Sequence, residues 1–318
     1  MSRTLTAQEV PDLISQLTGR FAQHERFGRL ERMFDRLVAV RLSDLRAGRI
    51  QEADSLVLTA ATGSGKTTAM RKLIKHANNQ LSASDFPDGK IISVTVPSPA
   101  TLKSVGISIL AALGPELKAD RQIWYIWDLV RFHLLENNVL FLHLDEAQDL
   151  KKKGRQNELS EIVNTLKSIS QDAEWPVGFL LSGTEDLKEI VNMDKQLVRR
   201  MKAIRFDPMT ARDSALDMLT LIESYATRAE LEFEEHTNSI DLGQRVLHAS
   251  AYQFGLVIKL AIFAIEEALY AGGATLEPHH FAMAFETWKG CTDAFNPFLV
   301  NDYLQIDTQK MFANEGDE

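Results

Sequence analysis

The sequence predicts an α/β fold in which helices sandwich a parallel sheet, followed by a smaller helical domain. Short apolar runs of strand length alternate with helical patterns over the first two thirds of the chain. Such alternation is typical of βαβ units, whose connecting helices cover both faces of a parallel sheet. After about Met209 the strand signals fade and only helical periodicity continues.

The expected strands are apolar runs bounded by polar or turn-forming residues. They cover residues 55–60, 90–96, 139–144, 177–181 and 203–206. Helical spacing of apolar residues predicts helices over 25–46, 67–80, 101–113, 121–137 and 157–172, and then over 211–229, 240–250, 255–271 and 278–288. These elements predict four regions: an N-terminal helical segment (1–54), an α/β core (55–208), a helical lid (209–290), and a C-terminal tail (291–318) that is flexible or binds a partner.

Composition excludes some classes of protein. The chain has 318 residues and a net charge of −9, so a globally basic DNA-coating protein is excluded, although a local basic strip is not. The single cysteine excludes an intramolecular disulfide. The N-terminus lacks an apolar signal core, and the apolar stretch 255–269 contains Lys259 and Glu266. We therefore expect a cytoplasmic protein that does not span a membrane.

The decisive motif is Ala60-Ala-Thr-Gly-Ser-Gly-Lys-Thr67, which follows a strand and precedes a helix, as a P-loop requires. Its glycines allow the backbone to approach phosphate, and its amides with the helix N-terminus attract anions. Lys66 can reach the β and γ phosphates, and the Thr67 hydroxyl can bind Mg²⁺. One departure is Ala60, where the consensus has glycine. The predicted ATP-binding residues are Ala61, Thr62, Gly63, Ser64, Gly65, Lys66, Thr67 and Thr68.

A second motif is the apolar strand 139–144, which ends in Asp145 and Glu146. Because parallel strands place their carboxyl ends at one edge of the sheet, this pair is expected beside the P-loop. Asp145 can hold Mg²⁺, and Glu146 can polarise the attacking water. The alternative is a solvated acidic helix start. His143 is interpreted as packed in the core or facing a partner.

Together these motifs resemble the AAA+ superfamily. The resemblance rests on the P-loop, the Asp-Glu-Ala-Gln strand end, Ser182-Gly-Thr184 after the fourth strand, and Gln196-Leu-Val-Arg-Arg200. The order and spacing are most similar to the TnsC/TniB branch, the ATPase regulators of bacterial DNA transposition, over roughly residues 20–290. The resemblance implies a P-loop AAA+ fold with a helical lid, binding of ATP and Mg²⁺, and slow, regulatory hydrolysis.

The resemblance also implies several residue roles. Ser182, or alternatively Thr184, matches the sensor 1 residue that orients water and the γ-phosphate; either could instead cap the next helix. Arg199 and Arg200 match the arginine finger supplied to a neighbouring subunit's ATP, with Arg200 slightly favoured, although a helix-end ion pair is the alternative.

Two further residue roles are implied by less specific matches to the family pattern. Lys259 lies near the sensor 2 position of the lid, where the family has arginine. Residues 24–26 lie where related proteins fold the N-terminal segment over the adenine.

Members of this branch form ATP-dependent filaments on duplex DNA, and the sequence offers a local basic run for such contacts. The predicted DNA-binding residues are Lys103, Lys151, Lys152, Lys153 and Arg155. The alternative is a solvated loop. No base-reading motif is visible, so binding is expected to be sequence-independent. Trp124, Tyr125 and Trp127 could stack on bases, but a core or subunit contact is the favoured interpretation.

The resulting hypothesis is an ATPase that assembles as a ring or helical filament on target DNA and recruits a transposase and a target-selection factor. Hydrolysis, assisted by Glu146 and an arginine from the neighbour, would disassemble it. One alternative is a nucleotide-gated signalling or defence switch that acts on a protein partner without DNA. A replication loader or initiator ranks lower, because too little sequence follows Trp288 for an ordinary winged-helix domain.

Overall fold

The computed structural model describes residues 9–115, 117, 121–151, 156–233 and 239–314, without the side chains at 156–157 and 211–213. These residues form two compact units. The sheet unit comprises Gln23–Ala61 and Lys66–Phe206. The helical unit comprises the described parts of Met1–Ala22, Thr62–Gly65 and Asp207–Glu318.

The sheet unit is built on a five-stranded parallel sheet with the order β2-β3-β4-β1-β5. The strands are β1 (Ser55–Ala60), β2 (Lys90–Thr95), β3 (Val139–Asp145), β4 (Gly178–Gly183) and β5 (Met201–Phe206). Each predicted strand is therefore present, and its bounds agree with the prediction to within two residues. The parallel sheet confirms the predicted fold class.

Helices cover this sheet and connect its strands. They are α2 (Glu25–Arg46), α3 (Lys66–Ser82), α4 (Leu102–Leu113), α5 (Ile123–Glu136), α6 (Gln156–Ser170), α7 (Leu187–Asn192) and α8 (Lys195–Arg200). A short 3₁₀ turn, Ala147–Leu150, follows β3 directly.

Burial along the strands follows their places in the sheet. The inner strands β1, β3 and β4 are buried at every position, which is why their sequences read as continuous apolar runs. The edge strand β2 alternates between buried and more exposed positions. Phe34 of α2 packs against Phe141 of β3 with ring centroids 6.0 Å apart, so the face of β3 that carries Phe141 lies beneath a helix.

The helical unit has its own apolar core. Its helices are α1 (Glu9–Gly19), α9 (Ala211–Arg228), α10 (Ile240–Ala249), α11 (Phe254–Tyr270) and α12 (Pro278–Lys289). Tyr225, Phe281 and Phe285 are among its largest fully buried side chains. In the part of the chain that the structure describes, no single helix is long and apolar enough to cross a bilayer; one bent pair, α10 with α11, passes by length and composition.

Two features differ from the predicted domain division. The segment 1–54 is split, because Val10 and Leu17 of α1 are buried within the helical unit while α2 belongs to the sheet unit. Residues 291–314 of the predicted tail pack within the helical unit, and binding of the tail to a partner stays a prediction. There the Arg245 guanidinium donates to the carbonyls of Pro297 and Val300, both at 2.6 Å, and the buried Asn296 amide donates to the Ala282 carbonyl. These contacts hold the tail against α10 and α12.

Candidate active site

The P-loop joins β1 to α3 with the backbone geometry that its glycines allow. Gly63 and Gly65 have φ angles of +79° and +90°, a backbone conformation that residues with a Cβ atom rarely adopt. The Ser64 hydroxyl is buried, and among the described residues it has no hydrogen-bond partner. A buried polar atom without a partner is costly in a folded protein, so this loop has the character of a site that receives a polar ligand.

Lys66, the first residue of α3, binds the catalytic candidate Glu146. Its Nζ lies 2.9 Å from Glu146 Oε1, and the lysine side chain is only 8% exposed. The other oxygen, Glu146 Oε2, accepts a 2.6 Å hydrogen bond from the Gln148 amide. Glu146 also adopts a left-handed backbone conformation (φ 54°), which costs on the order of 1–3 kcal/mol and concentrates at functional sites. Both carboxylate oxygens are thus engaged with side chains of the protein.

Asp145, the neighbouring residue, has a different environment. It is buried, and its Oδ1 accepts a 2.5 Å hydrogen bond from the Ser182 hydroxyl; the Thr67 side chain also hydrogen-bonds to it. Burial raises the pKa of this carboxyl, but the hydrogen bonds from Ser182 and Thr67 outweigh burial and hold it below its usual range. The two residues predicted to bind Mg²⁺, Thr67 and Asp145, are therefore brought together.

His143 extends the Asp145 network into the sheet. Its Nε2 lies 2.8 Å from Ser182 Oγ, and its Nδ1 lies 2.7 Å from Ser93 Oγ on β2. Burial lowers the pKa of this imidazole to about 4, so the ring is neutral near pH 7. The prediction that His143 packs in the core is confirmed, but its hydrogen bonds tie it to the site.

The two sensor 1 candidates are separated by their hydrogen bonds. The Ser182 hydroxyl is fully buried and engaged with Asp145 and His143. The Thr184 amide donates to the Gln148 side-chain oxygen at 3.0 Å, while its buried hydroxyl has no partner among the described residues. A Cβ on Gly183 would lie 2.4 Å from that same Gln148 oxygen, so glycine is what lets Gln148 reach Thr184.

This donor set fits ATP with Mg²⁺. Mg²⁺ prefers oxygen ligands and is usually held by one or two protein side chains together with substrate phosphates and water. Thr67 and Asp145 supply such oxygens, Lys66 supplies a cation for phosphate, and Ser64 supplies a buried hydroxyl without a partner. Glu146 is the remaining carboxylate that can accept a proton from water.

The arginine pair ends α8 and divides into two environments. Arg200 is ion-paired with Glu52 within the same chain and its side chain is 26% exposed. Arg199 is exposed to solvent. Arg200 thus already has an acidic partner in its own chain, and which of the two arginines serves as the finger stays a prediction.

The remaining predicted site residues lie in varied surroundings. The Lys259 ammonium lies 4.7 Å from the Trp288 ring centroid and 5.3 Å from that of Phe263, which is cation–π geometry. Lys103 is half-buried in the first turn of α4, and Lys151 is ion-paired with Glu189. Lys152, Lys153 and Arg155 lie outside the described residues. The roles of all these residues stay predictions.

The aromatic residues of α5 are also divided. Trp127 is buried and donates to the Leu102 carbonyl, which confirms a core contact for that residue. Trp124 is 62% exposed and Tyr125 is 38% exposed, so neither is a core residue.

Sequence reasoning gave no role to Ser93, Gln148 or Glu52. A signal for the first existed, because Ser93, His143 and Ser182 are polar residues near the carboxyl ends of three strands that are otherwise largely apolar. Gln148 was visible only as part of the Asp-Glu-Ala-Gln strand end. No signal in the sequence connects Glu52 with Arg200.

Comparison with known proteins is consistent with this site. Residues 49–191 match the family profile described as AAA domain. The match includes the P-loop and the Asp145-Glu146 pair and ends in α7. No curated protein matches the sequence.

Solved structures share the fold at low sequence identity. Cdc6p from Pyrobaculum aerophilum is 19% identical with a TM-score of 0.61, covering 86% of this chain and 70% of that one. ORC1 from Aeropyrum pernix in complex with DNA is 17% identical with a TM-score of 0.61, covering 87% and 68%. Drosophila ORC bound to DNA is 15% identical with a TM-score of 0.58, covering 91% and 69%. Residues 49–191 therefore match an AAA domain, the chain has the P-loop AAA+ fold, and it is an ATPase that uses ATP and Mg²⁺.

Proposed function

We propose that this ATPase is an ATP-dependent, DNA-binding regulator of DNA transposition. It oligomerises on target DNA as a ring or filament and links a target-selection factor to the transposase, and hydrolysis disassembles it. The observation that carries the oligomeric part is the exposure of Arg199 at the end of α8, beside an Arg200 that is held by Glu52. An exposed arginine at this position is suited to reach the phosphates of a neighbouring subunit.

The proposed hydrolysis begins with an exchange of partners at Lys66. The lysine leaves Glu146 for the phosphates, and this frees one oxygen of the carboxylate. Glu146, still held by Gln148, then accepts a proton from the attacking water. The Thr67 hydroxyl and Asp145 would hold Mg²⁺, which would supply positive charge to the transferred phosphoryl group.

We assign the sensor 1 role to Thr184 rather than Ser182. A sensor hydroxyl must be available to water or phosphate, and Thr184 carries the buried hydroxyl without a partner among the described residues. Its amide contact with Gln148 links it to Glu146 through one side chain. Ser182 acts instead on Asp145.

The DNA part rests on the resemblance in motif order and on the basic residues Lys103, Lys151, Lys152, Lys153 and Arg155. The ion pair of Lys151 with Glu189 engages one of these cations, but repetition of the run in every subunit of a filament would restore affinity through multivalency. The Aeropyrum ORC1 and Drosophila ORC structures contain DNA, which supports testing duplex DNA as the ligand.

The alternative is a nucleotide-gated switch that acts on a protein partner without DNA. The observation that favours it is the solvent-facing side of α5, where Trp124 is 62% and Phe132 54% exposed. Exposed aromatic side chains are enriched at protein interfaces. In this case the double variant Trp124→Ala/Phe132→Ala would lose binding to the protein partner, measured in the absence of DNA.

Negative-stain electron microscopy with linear duplex DNA tests the proposal. Wild type, Lys66→Ala, Arg199→Ala and Arg200→Ala are each compared with ATP, a non-hydrolysable analogue and ADP. We expect rings or filaments on DNA only with ATP-type ligands, loss of assembly in Lys66→Ala and Arg199→Ala, and retention in Arg200→Ala. Assembly that ignores DNA, or no assembly at low salt, would favour the protein-partner switch.

A further inference from the structure

We propose that His143 is a positioning residue for ATP hydrolysis: through Ser182 it fixes the orientation of Asp145, the carboxylate that would hold Mg²⁺. The inference concerns the ATPase reaction itself and does not depend on DNA or on transposition.

The register of the sheet brings the four residues together. Ser93 of β2 pairs directly with His143 of β3, and Leu144 pairs with Leu181 of β4, the residue before Ser182. Because side chains alternate along a strand, His143 and Asp145 lie on the same face. A polar chain Ser93–His143–Ser182–Asp145 therefore crosses three neighbouring strands.

The direction of the hydrogen bonds follows from counting protons. An ionised Asp145 can only accept, so the Ser182 hydroxyl donates its single proton across the 2.5 Å contact. The 2.8 Å contact between Ser182 and His143 then requires Nε2–H to donate to Ser182 Oγ. The other ring nitrogen, Nδ1, lies 2.7 Å from the Ser93 hydroxyl, so both ring nitrogens are engaged and the plane of the ring is fixed. The Nε2–H group and the Ser182 hydroxyl both point toward Asp145.

This arrangement removes rotational freedom from a carboxylate that would bind metal. Ser182 alone could rotate its hydroxyl away, but the Nε2–H of a packed imidazole occupies the acceptor side of its oxygen and leaves the proton aimed at Asp145. Removing a partner that orients a metal ligand in this way lowers metal affinity or activity about 10- to 100-fold. A side chain that only filled space at 143 would have no such effect.

The variants His143→Leu and His143→Gln separate orientation from packing. Leucine fills the site without hydrogen bonds, whereas a glutamine amide can donate to Ser182 and accept from Ser93. Leu142→Met, the neighbouring buried position on the opposite face, is the packing control. Affinity for fluorescent ATP is measured as a function of Mg²⁺, and Mg²⁺-free binding and thermal unfolding report whether each variant is intact.

We expect His143→Leu to raise the Mg²⁺ concentration needed for tight ATP binding about 10- to 100-fold, to lower kcat, and to leave Mg²⁺-free ATP binding unchanged. His143→Gln should recover to within about threefold of wild type, and Leu142→Met should match wild type. A folded His143→Leu with the wild-type Mg²⁺ dependence would overturn the proposal.

A second measurement decides the matter if His143→Leu does not fold. In ¹⁵N-labelled wild type, the His143 signal, identified by its loss in His143→Gln, should show a proton on Nε2. Ser93→Ala, a change at an exposed position, removes the contact at Nδ1 and should raise the Mg²⁺ concentration needed for tight ATP binding, as His143→Leu does. A ring without a proton on Nε2 would contradict the proposal directly.

Discussion

Asp145 and Glu146 are adjacent in sequence, yet their surroundings are opposite in kind. Asp145 ends an inner strand, is buried, and is held by the hydroxyl groups of Ser182 and Thr67. Glu146 is 34% exposed, adopts a left-handed conformation, and pairs with Lys66, the lysine that moves to ATP in the proposed mechanism. The comparison teaches that Asp145 is fixed in place by its surroundings, whereas the proposed mechanism requires Glu146 to lose its lysine partner.

The largest expected effect separates the two roles. Glu146→Gln should lower kcat by at least about 10²-fold while ATP binding with Mg²⁺ is retained, because only the proton acceptor is removed. Asp145→Asn should lose both hydrolysis and the Mg²⁺-dependent gain in ATP affinity. Single-turnover hydrolysis and nucleotide titrations with and without Mg²⁺ measure these quantities. Equal loss of Mg²⁺-dependent binding in both variants would break the comparison.

The next effect concerns Gln148, which holds Glu146 after Lys66 has left. We expect Gln148→Leu to lower kcat about tenfold with little change in KM, because Glu146 and Thr184 lose their shared partner. The substitution Asp149→Asn, one residue further along, is the control for the 3₁₀ turn. Steady-state hydrolysis at saturating Mg²⁺ is the measurement, and an unchanged kcat in Gln148→Leu would remove this residue from the site.

A smaller effect of the same kind is expected from Gly183→Ala. The added methyl group would lie 2.4 Å from the Gln148 side-chain oxygen, and that flexible side chain can move aside. The chain should therefore stay folded while kcat falls a few-fold. Combined with Gln148→Leu, the change should add little, because both act through one contact. Additive losses in the double variant would show that the glycine serves another purpose.

The smallest effect is on stability without nucleotide. Glu146→Gln removes the partner of a lysine that is 8% exposed, and we expect a loss of about 1 kcal/mol in the free energy of unfolding. Added Mg²⁺-ATP should then stabilise the variant more than wild type, since no ion pair has to be broken on binding. Chemical denaturation in both states measures this. Equal stabilisation by nucleotide would mean that Lys66 does not exchange partners.

Much of the fold and part of the site could be predicted from the sequence. Inner strands such as β1 and β3 are continuous apolar runs because both faces are covered, and the P-loop carries its own backbone requirement in Gly63 and Gly65. These are local signals. The placement of Asp145 near Thr67 followed from a general rule for parallel sheets.

The remainder depended on register and on long-range pairing. Strand alternation does not separate Ser182 from Thr184, because the two are two residues apart. Which hydroxyl is available depends on the partners that each one meets: Ser182 binds Asp145, whereas Thr184 lies beyond the end of β4 and its hydroxyl has no partner among the described residues. The pairing of Arg200 with Glu52 joins positions far apart in sequence, and nothing in either segment alone indicates it. The tail reads as polar, but its carbonyl groups are bound by Arg245, a contact that composition does not reveal.

The ion pair between Arg200 and Glu52 also has a consequence for how the proposed assembly would depend on protein concentration. A guanidinium held by a carboxylate of its own chain faces an internal competitor whose effective concentration is fixed and does not fall on dilution. A contact between subunits made by Arg200 would therefore need a higher protein concentration, and Glu52→Gln would lower the concentration required. If Arg199 makes the contact instead, the same substitution would leave the required protein concentration unchanged.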